Sequence, residues 1–264
     1  MSGFASPPTR PRAASIELSV VMPMYNEEEN VGRALGVVED VLRRMDLSYE
    51  IVVVDDGSVD RTRLVAQGCA EGNDHIKVVS YGRNMGKGYA LKTGFMCSGG
   101  EKIVFLDGDL EVAPHFGVYV KALDHFDVVV GSKMHPRSRV RAPTLRKILS
   151  LGFHFAVMLL MGVRVSDTQA GLKAFRREAL GRILRMNLVK RHAFDVELMA
   201  LASLLRLRVS ELPVEIRLKG MFSLRGVLYM LVDLMGMVYR MRILRWYQRN
   251  LGEEEPTYKP IIPL

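Results

Sequence analysis

Cysteine is scarce in this chain. Its two cysteines, Cys69 and Cys97, lie far apart, with neither metal-ligand spacing nor the pattern of a disulfide framework. Both are therefore expected to be small core residues, and a reducing, cytosolic compartment fits. Long apolar runs are also missing. No stretch reaches the roughly 18–20 apolar residues of a membrane-spanning helix. The nearest approaches, residues 153–163 and 227–239, are interrupted by His154 and Asp233. The expectation is a protein without transmembrane helices that is still able to lie on a membrane. Residues 1–15 carry Pro7, Pro8 and Pro11 and lack the apolar stretch of a signal peptide, so they are expected to form a disordered lead-in. Acids are absent between Ser132 and Ser166, whereas Lys133, Arg137, Arg139, Arg141, Arg146 and Lys147 crowd the first half of that interval. There is no internal repeat. The basic residues are not interleaved with aromatics, and no helix-turn-helix or zinc-finger spacing occurs, which argues against nucleic acid as a partner.

What remains is ample for a core. The 264 residues are 48% hydrophobic, enough for one sizeable domain, and the formal charge of +8 favours anionic partners. Apolar, β-branched runs at residues 17–22 and 50–54 predict buried strands, and Val31, Leu35, Val38, Val41 and Leu42 give the intervening segment a helical period. The alternation continues: a helix near 60–68, a strand at 77–80, a helix at 87–97, a strand at 103–106, a helix at 115–126 and a strand at 128–131. Such alternation predicts βαβ units and a mostly parallel sheet flanked by helices, an α/β fold. After residue 131, short strands are expected at 172–175, 209–211 and 214–217, a helix at 193–205, and one or two helices over 224–249. The prolines of residues 253–264 suggest a flexible tail.

The chemistry collects at predicted strand ends, where open α/β sheets bind ligands. The strand at 103–106 runs into Asp107-Gly108-Asp109. Two carboxylates so close repel one another unless a cation or several donors lie between them, and a hard divalent ion holding a diphosphate is the most economical occupant. The first strand ends in Pro23-Met24-Tyr25-Asn26-Glu27, where proline should stop the ladder and Asn26 cap the next helix. The second ends in Asp55-Asp56-Gly57-Ser58. Asp55 suits a base or ribose hydroxyl, Asp56 a cap, and Ser58 stands where it could cap the following helix. Gly86-Lys87-Gly88 at a helix start would let backbone N–H groups approach an anion, although it is not a Walker A loop.

Taken in order, Val21-Met22-Pro23-Met24-Tyr25-Asn26-Glu27, Val52-Val53-Val54-Asp55-Asp56-Gly57-Ser58, Gly86-Lys87-Gly88 and Leu106-Asp107-Gly108-Asp109 resemble the family 2 inverting glycosyltransferases. The resemblance covers roughly residues 18–220 and implies the GT-A nucleotide-diphospho-sugar transferase fold. Asp167-Thr168-Gln169-Ala170-Gly171-Leu172-Lys173 and Ala193-Phe194-Asp195-Val196-Glu197-Leu198 are similar to dolichyl-phosphate hexose synthases, the first being closer to the glucose-transferring branch. The family's Gly-x-Ser-Lys segment appears here only as Gly220-Met221-Phe222-Ser223-Leu224-Arg225, leaving either Lys219 or Arg225 to reach the phosphates.

By that resemblance the chain divides into a lead-in (1–15), a GT-A catalytic domain (16–220), C-terminal amphipathic interfacial helices (221–249) and a tail (250–264). It implies a metal-dependent inverting hexosyltransferase, moving glucose or mannose from UDP-glucose or GDP-mannose to dolichyl or polyprenyl phosphate. The enzyme would be peripheral on the cytosolic membrane face. Asp107, Asp109, Lys133 and Arg146 form the implied catalytic set, with Asp109 and Glu111 as ligands of Mg²⁺ or Mn²⁺. The donor would be held by Pro23, Tyr25, Glu27, Asp55, Gly86, Lys87, Asp107, Gln169, Asp195, Glu197 and Lys219, and the acceptor phosphate by Lys133, Arg139, Arg146 and Ser150.

The implied chemistry is economical. A phosphate acceptor with a second pKa near 6 is mostly dianionic at neutral pH, so it needs cations rather than a general base, and the acid-free segment supplies them. Asp195 and Glu197 do not share a helix face, so one is expected at the sugar and the other in an ion pair. Leu228, Leu231, Met235 and Val238 form an apolar stripe, followed by Arg240, Arg242, Arg245, Trp246 and Arg249. Such a stripe either covers the core or lies in a membrane interface. Two alternatives stand beside the leading one: a GT-A transferase with a hydroxyl acceptor (a glycan or glycerolipid), and an inactive sugar-nucleotide sensor.

Overall fold

The computed structural model describes residues 15–108, 115–141, 143–163, 165–168, 170–191, 193–217 and 224–251. Asp109, Glu111, Gln169 and Lys219, and the side chains of Arg146 and Arg225, lie outside what is described. The strands are β1 (Leu18–Met24), β2 (Tyr49–Asp55), β3 (Ile76–Ser80), β4 (Lys102–Leu106), β5 (Val128–Ser132), β6 (Arg139–Arg141), β7 (Leu172–Arg176), β8 (Val209–Pro213) and β9 (Glu215–Arg217). The helices are α1 (Val31–Leu42), α2 (Thr62–Ala70), α3 (Lys87–Cys97), α4 (Gly117–Ala122), α5 (Thr144–Met161), α6 (Arg177–Met186), α7 (Phe194–Leu204), α8 (Leu224–Val238) and α9 (Trp246–Arg249), with a π-helical turn at Tyr239–Ile243.

Seven strands form one sheet in the order β3-β2-β1-β4-β7-β5-β8, and β6 pairs with β9 apart from it. β1 to β4 are mutually parallel, β7 runs antiparallel between β4 and β5, and β5 is parallel to β8. The expected mostly parallel sheet is thus observed, with one reversed strand. Both faces are covered, which explains the unbroken apolar runs. Along β2, Val52 and Val54 face a core shared with α3, α6 and α7, while Ile51 and Val53 face one shared with α1 and α4. Each such buried side chain contributes about 1.5–3 kcal/mol.

Three local expectations are corrected. Pro23 does not end β1, because pairing with β2 continues to Met24↔Asp55. Pairing with β4, however, ends at Val21↔Phe105. The two strands part beyond that point, and strand order reverses between them, which is where a crevice opens in an open sheet. Nor does Asn26 cap α1; Asn30 holds that position. Asn26 has a positive φ of 54° and its Oδ1 accepts from the Val59 N–H at 3.0 Å. Ser58 does not cap α2 either. Its Oγ accepts from the Asn26 N–H at 3.0 Å, while Asp60 accepts from the N–H of Thr62 at the start of α2. The turns after β1 and β2 are thereby stitched together.

At the C-terminus, α8 packs against α5. Leu234, Met237 and Met241 turn to the core. Leu228, Leu231 and Met235 face outward with Tyr229, Val232, Tyr239 and Ile243, while Val238 is half-buried against the core. Most of the stripe seen in the sequence is thus exposed, and it is the opposite side of α8 that covers the core. Among the described residues no helix is long and apolar enough to cross a membrane.

Candidate active site

The strand ends converge on a cavity of about 460 Å³ at the carboxyl edge of the sheet. The end of β1 and the turn after it contribute Pro23, Met24, Tyr25 and Glu27; the turn after β2 contributes Asp56, and that after β4 contributes Asp107 and Gly108. The remaining wall is Asn84, Gly86 and Lys87 before and within α3, with Arg191 and Asp195 from the start of α7. Each group arrives because a buried strand ends there and its next residues no longer need to pair.

A chain of alternating charge occupies the floor. Lys87 Nζ lies 2.7 Å from Asp107 Oδ1 and 2.9 Å from its Oδ2, and 3.4 Å from Asp195 Oδ2. Lys173, on β7 and only 1% exposed, donates to Asp195 Oδ1 at 2.7 Å and to the Ala170 carbonyl. Burial alone would lower the pKa of Lys87, but Asp107 and Asp195 outweigh it and hold the ammonium well above its ordinary range. Burial pushes Asp195 up, yet Lys173 and Lys87 together leave it below the ordinary carboxylate range. Lys173 itself is pulled down, chiefly by burial. The floor is thus a neutralised set of two cations and two anions, of which Lys87, Asp107 and Asp195 line the cavity and Lys173 is buried.

The glycines of the α3 approach have specific reasons. Gly86 has φ +99°, and a Cβ there would meet the Lys190 carbonyl oxygen at 2.8 Å. A Cβ on Gly88 would run into the Phe194 ring and lie 2.9 Å from the same oxygen. Only glycine lets α3 begin this close to α7.

Of the residues singled out in the sequence, Pro23, Tyr25, Glu27, Gly86, Lys87, Asp107 and Asp195 line the cavity. Two are corrected. It is Asp56, not Asp55, that lines the cavity, because successive residues point to opposite sides. Asp55 accepts from Ser80 Oγ at 2.7 Å and the Ser58 N–H at 3.1 Å, locking strand ends together. Asp56 lines the cavity and accepts from Tyr81 OH and the Met85 N–H, each at 2.8 Å, and from the Gly86 N–H at 2.9 Å. Glu197 is 1% exposed and faces away from the cavity, taken up by the 187–189 backbone and Tyr247.

The acceptor-side residues are more dispersed. Lys133 follows β5 at the same edge of the sheet, where its Nζ pairs with Asp167 at 2.9 Å. Arg139 is exposed on β6, paired with β9, and Ser150 is half-buried on α5. Among the described residues no three His, Cys, Asp or Glu side chains gather as a metal-ligand set. Asp107 offers the hard oxygen donors that Mg²⁺ or Mn²⁺ prefers, and its neighbour Asp109 lies outside the described residues. Sequence analysis missed Lys173, Arg191 and Asn84 as parts of the site. Lys173 did leave a signal, as the last residue of the Asp167–Lys173 segment and a charge set between Leu172 and Ala174.

Comparison with known proteins agrees with this architecture. The family model for glycosyl transferase family 2 matches residues 19–184. A dolichyl-phosphate beta-glucosyltransferase of Homo sapiens is 36% identical over 215 residues, covering 75% of this chain and 66% of that protein. A protein of the same description from Trichomonas vaginalis is 33% identical over 252 residues, covering 90% of this chain and 77% of its own length. Among solved structures, glucosyl-3-phosphoglycerate synthase from Mycobacterium tuberculosis, crystallised with Mn²⁺, UDP and phosphoglyceric acid, superposes with a TM-score of 0.63 at 21% identity. That match covers 86% of this chain and 78% of the synthase, and at this identity it establishes the fold. The chain belongs to glycosyl transferase family 2 and is a glycosyltransferase built on the GT-A fold.

Proposed function

We propose that this enzyme transfers glucose from UDP-glucose to dolichyl or polyprenyl phosphate, inverting the anomeric carbon, at the cytosolic face of a membrane. The observation that carries the reaction class is the alternating set Asp107–Lys87–Asp195–Lys173 beside the crevice between β1 and β4. Glucose as the sugar and a polyprenyl phosphate as the acceptor are supported by the similarity to the human and Trichomonas dolichyl-phosphate beta-glucosyltransferases.

Tyr25, 45% exposed at the cavity, offers a ring face to the base, with Glu27 beside it. Asp56 fixes the loop before α3, so that the N-terminus of this helix and Lys87 meet the diphosphate. Lys87, held between two carboxylates, keeps its proton and supplies positive charge to the leaving group. Asp195, ionised and fixed by Lys173, accepts hydrogen bonds from sugar hydroxyls. Asp109 and Glu111, with Asp107, would hold a divalent cation, which when bound would supply Lewis-acid neutralisation of the departing diphosphate. Lys133, Arg139, Arg146 and Ser150 receive the acceptor phosphate, whose dianion attacks without a general base. The outward apolar face of α8, with exposed Arg242, Arg245 and Arg249 nearby, suits an anionic membrane surface.

The test is transfer of labelled sugar to a short-chain polyprenyl phosphate, with UDP-glucose and GDP-mannose in parallel, each with Mg²⁺ or Mn²⁺ and with EDTA. Glucosyl product that EDTA abolishes is the expected result. Mannosyl product would change the donor, and donor hydrolysis without transfer would change the acceptor. Arg146→Ala should weaken acceptor use far more than donor binding, and equal loss of both would move Arg146 to the donor side.

A further inference from the structure

Glu197 presents an unusual concentration of bonds for a residue outside the cavity. Its Oε2 accepts from Asn187 Nδ2 at 2.7 Å and from the N–H groups of Leu188 and Val189 at 2.9 and 2.7 Å. Its Oε1 accepts from the hydroxyl of Tyr247 on α9, with the Arg240 guanidinium 3.8 Å away. Tyr247 is fully buried, and its oxygen also accepts from Arg240 Nε at 3.0 Å. The Asn187 carbonyl accepts from the buried ammonium of Lys92 on α3.

The segment gripped in this way leads directly into the cavity wall. The Lys190 carbonyl accepts from the Tyr89 N–H at 3.3 Å and is one of the atoms a Cβ on Gly86 or Gly88 would meet. Arg191, at the cavity, donates to the Asn84 carbonyl at 3.2 Å. One turn of α7 therefore serves two sides. Asp195 faces the charge chain, and Glu197 faces the C-terminal segment.

We propose that Glu197 is a positioning residue for the donor cleft. It sets the 187–191 segment against the start of α3, with Tyr247 of α9 as its outer support. The C-terminal segment is then part of the donor site's framework, although none of α9 lines the cavity. Burial pushes the Glu197 carboxyl above its ordinary range, against the pull of Tyr247, the Val189 N–H and Arg240, so the arrangement depends on those donors staying in place.

The experiment is Tyr247→Phe, which keeps the packed ring and removes one hydroxyl. Amide hydrogen exchange should quicken about fivefold in residues 187–191 and also in 84–89, which Tyr247 does not touch. The dissociation constant for UDP should rise about fivefold, with turnover at saturating donor within about twofold of the parent. Glu197→Ala should exceed both effects, and Glu197→Gln should recover part of the loss. Faster exchange confined to residues 244–251, or rapid exchange at 84–89 with unchanged UDP affinity, would overturn the proposal. The affinity arm alone rests on the nucleotide-sugar assignment. If the parent protein binds no UDP, that assignment fails while the exchange arm still decides the role of Glu197.

Discussion

At the amino edge of the sheet, Glu50 is 2% exposed and accepts from Ser19 Oγ at 2.7 Å, from the Gly99 N–H and from Lys77 Nζ at 2.6 Å. At the carboxyl edge, Asp107 and Asp195 are also held by lysines, but a cavity adjoins them. The two ends use the same pairing for different ends. Around Glu50 the partners come from β1, β3 and the turn before β4, so the carboxylate ties strands together. In the cleft, Lys87 bridges two acids across open space, where a diphosphate can compete for it. The contrast is one of surroundings: the cation of Asp107 adjoins a cavity, whereas the partners of Glu50 join neighbouring strands.

The largest effect expected from this contrast is at the carboxyl edge. Lys87→Met should cost about 100- to 1,000-fold in turnover, the scale of losing one preorganised electrostatic contact to the leaving group, while the melting temperature stays close to that of the parent. Turnover near the parent value would assign Lys87 to scaffolding alone. Glu50→Ala should do the reverse, destabilising by about 2–3 kcal/mol because several donors lose their acceptor, as read from the denaturant midpoint. Its donor KM should be unchanged, and a raised KM would mean the two ends are coupled.

Gly88→Ala sharpens the boundary between the two behaviours. The added methyl has no room beside Phe194 and the Lys190 carbonyl, so about 1–3 kcal/mol of overpacking is expected, together with a higher donor KM. Stability loss with an unchanged KM would show that the α3–α7 contact is only structural.

The smallest effect concerns pH. Burial would raise the pKa of Glu50, but the Gly99 N–H, Lys77 and Ser19 together leave it below its ordinary value. A carboxylate depressed in the folded state contributes stability above the unfolded pKa and loses it as pH falls through the folded pKa. Unfolding free energy followed through the acid range should therefore decline less steeply in Glu50→Gln than in the parent. Parallel curves would remove Glu50 from the acid response.

Much of the fold was legible because its signals are local. Short apolar runs marked β1, β2 and β4 within two residues of their ends. The helix at Lys87–Cys97 was readable from its glycine start. α6 was not anticipated, because its four buried residues sit among arginines and a glutamate that lower its average hydrophobicity. The site was legible as a set of strand ends. Which of two adjacent acids faces the cavity was not, since Asp55 and Asp56 differ only by the phase of a strand that bends at its end.

The chain's own order of residues determined the parallel sheet, the edge at which the chemistry collects and the acids and lysine that serve it, because strand patterning and strand-end chemistry are properties of short segments. Tertiary structure alone decided how those charges are paired. Lys173 reaches Asp195 across 22 residues, Lys87 reaches Asp107 across 20, and Tyr247 reaches Glu197 across 50. Each pairing depends on two elements being packed side by side, and it is packing, absent from any local window, that sends Asp195 to the cleft and Glu197 to the frame behind it.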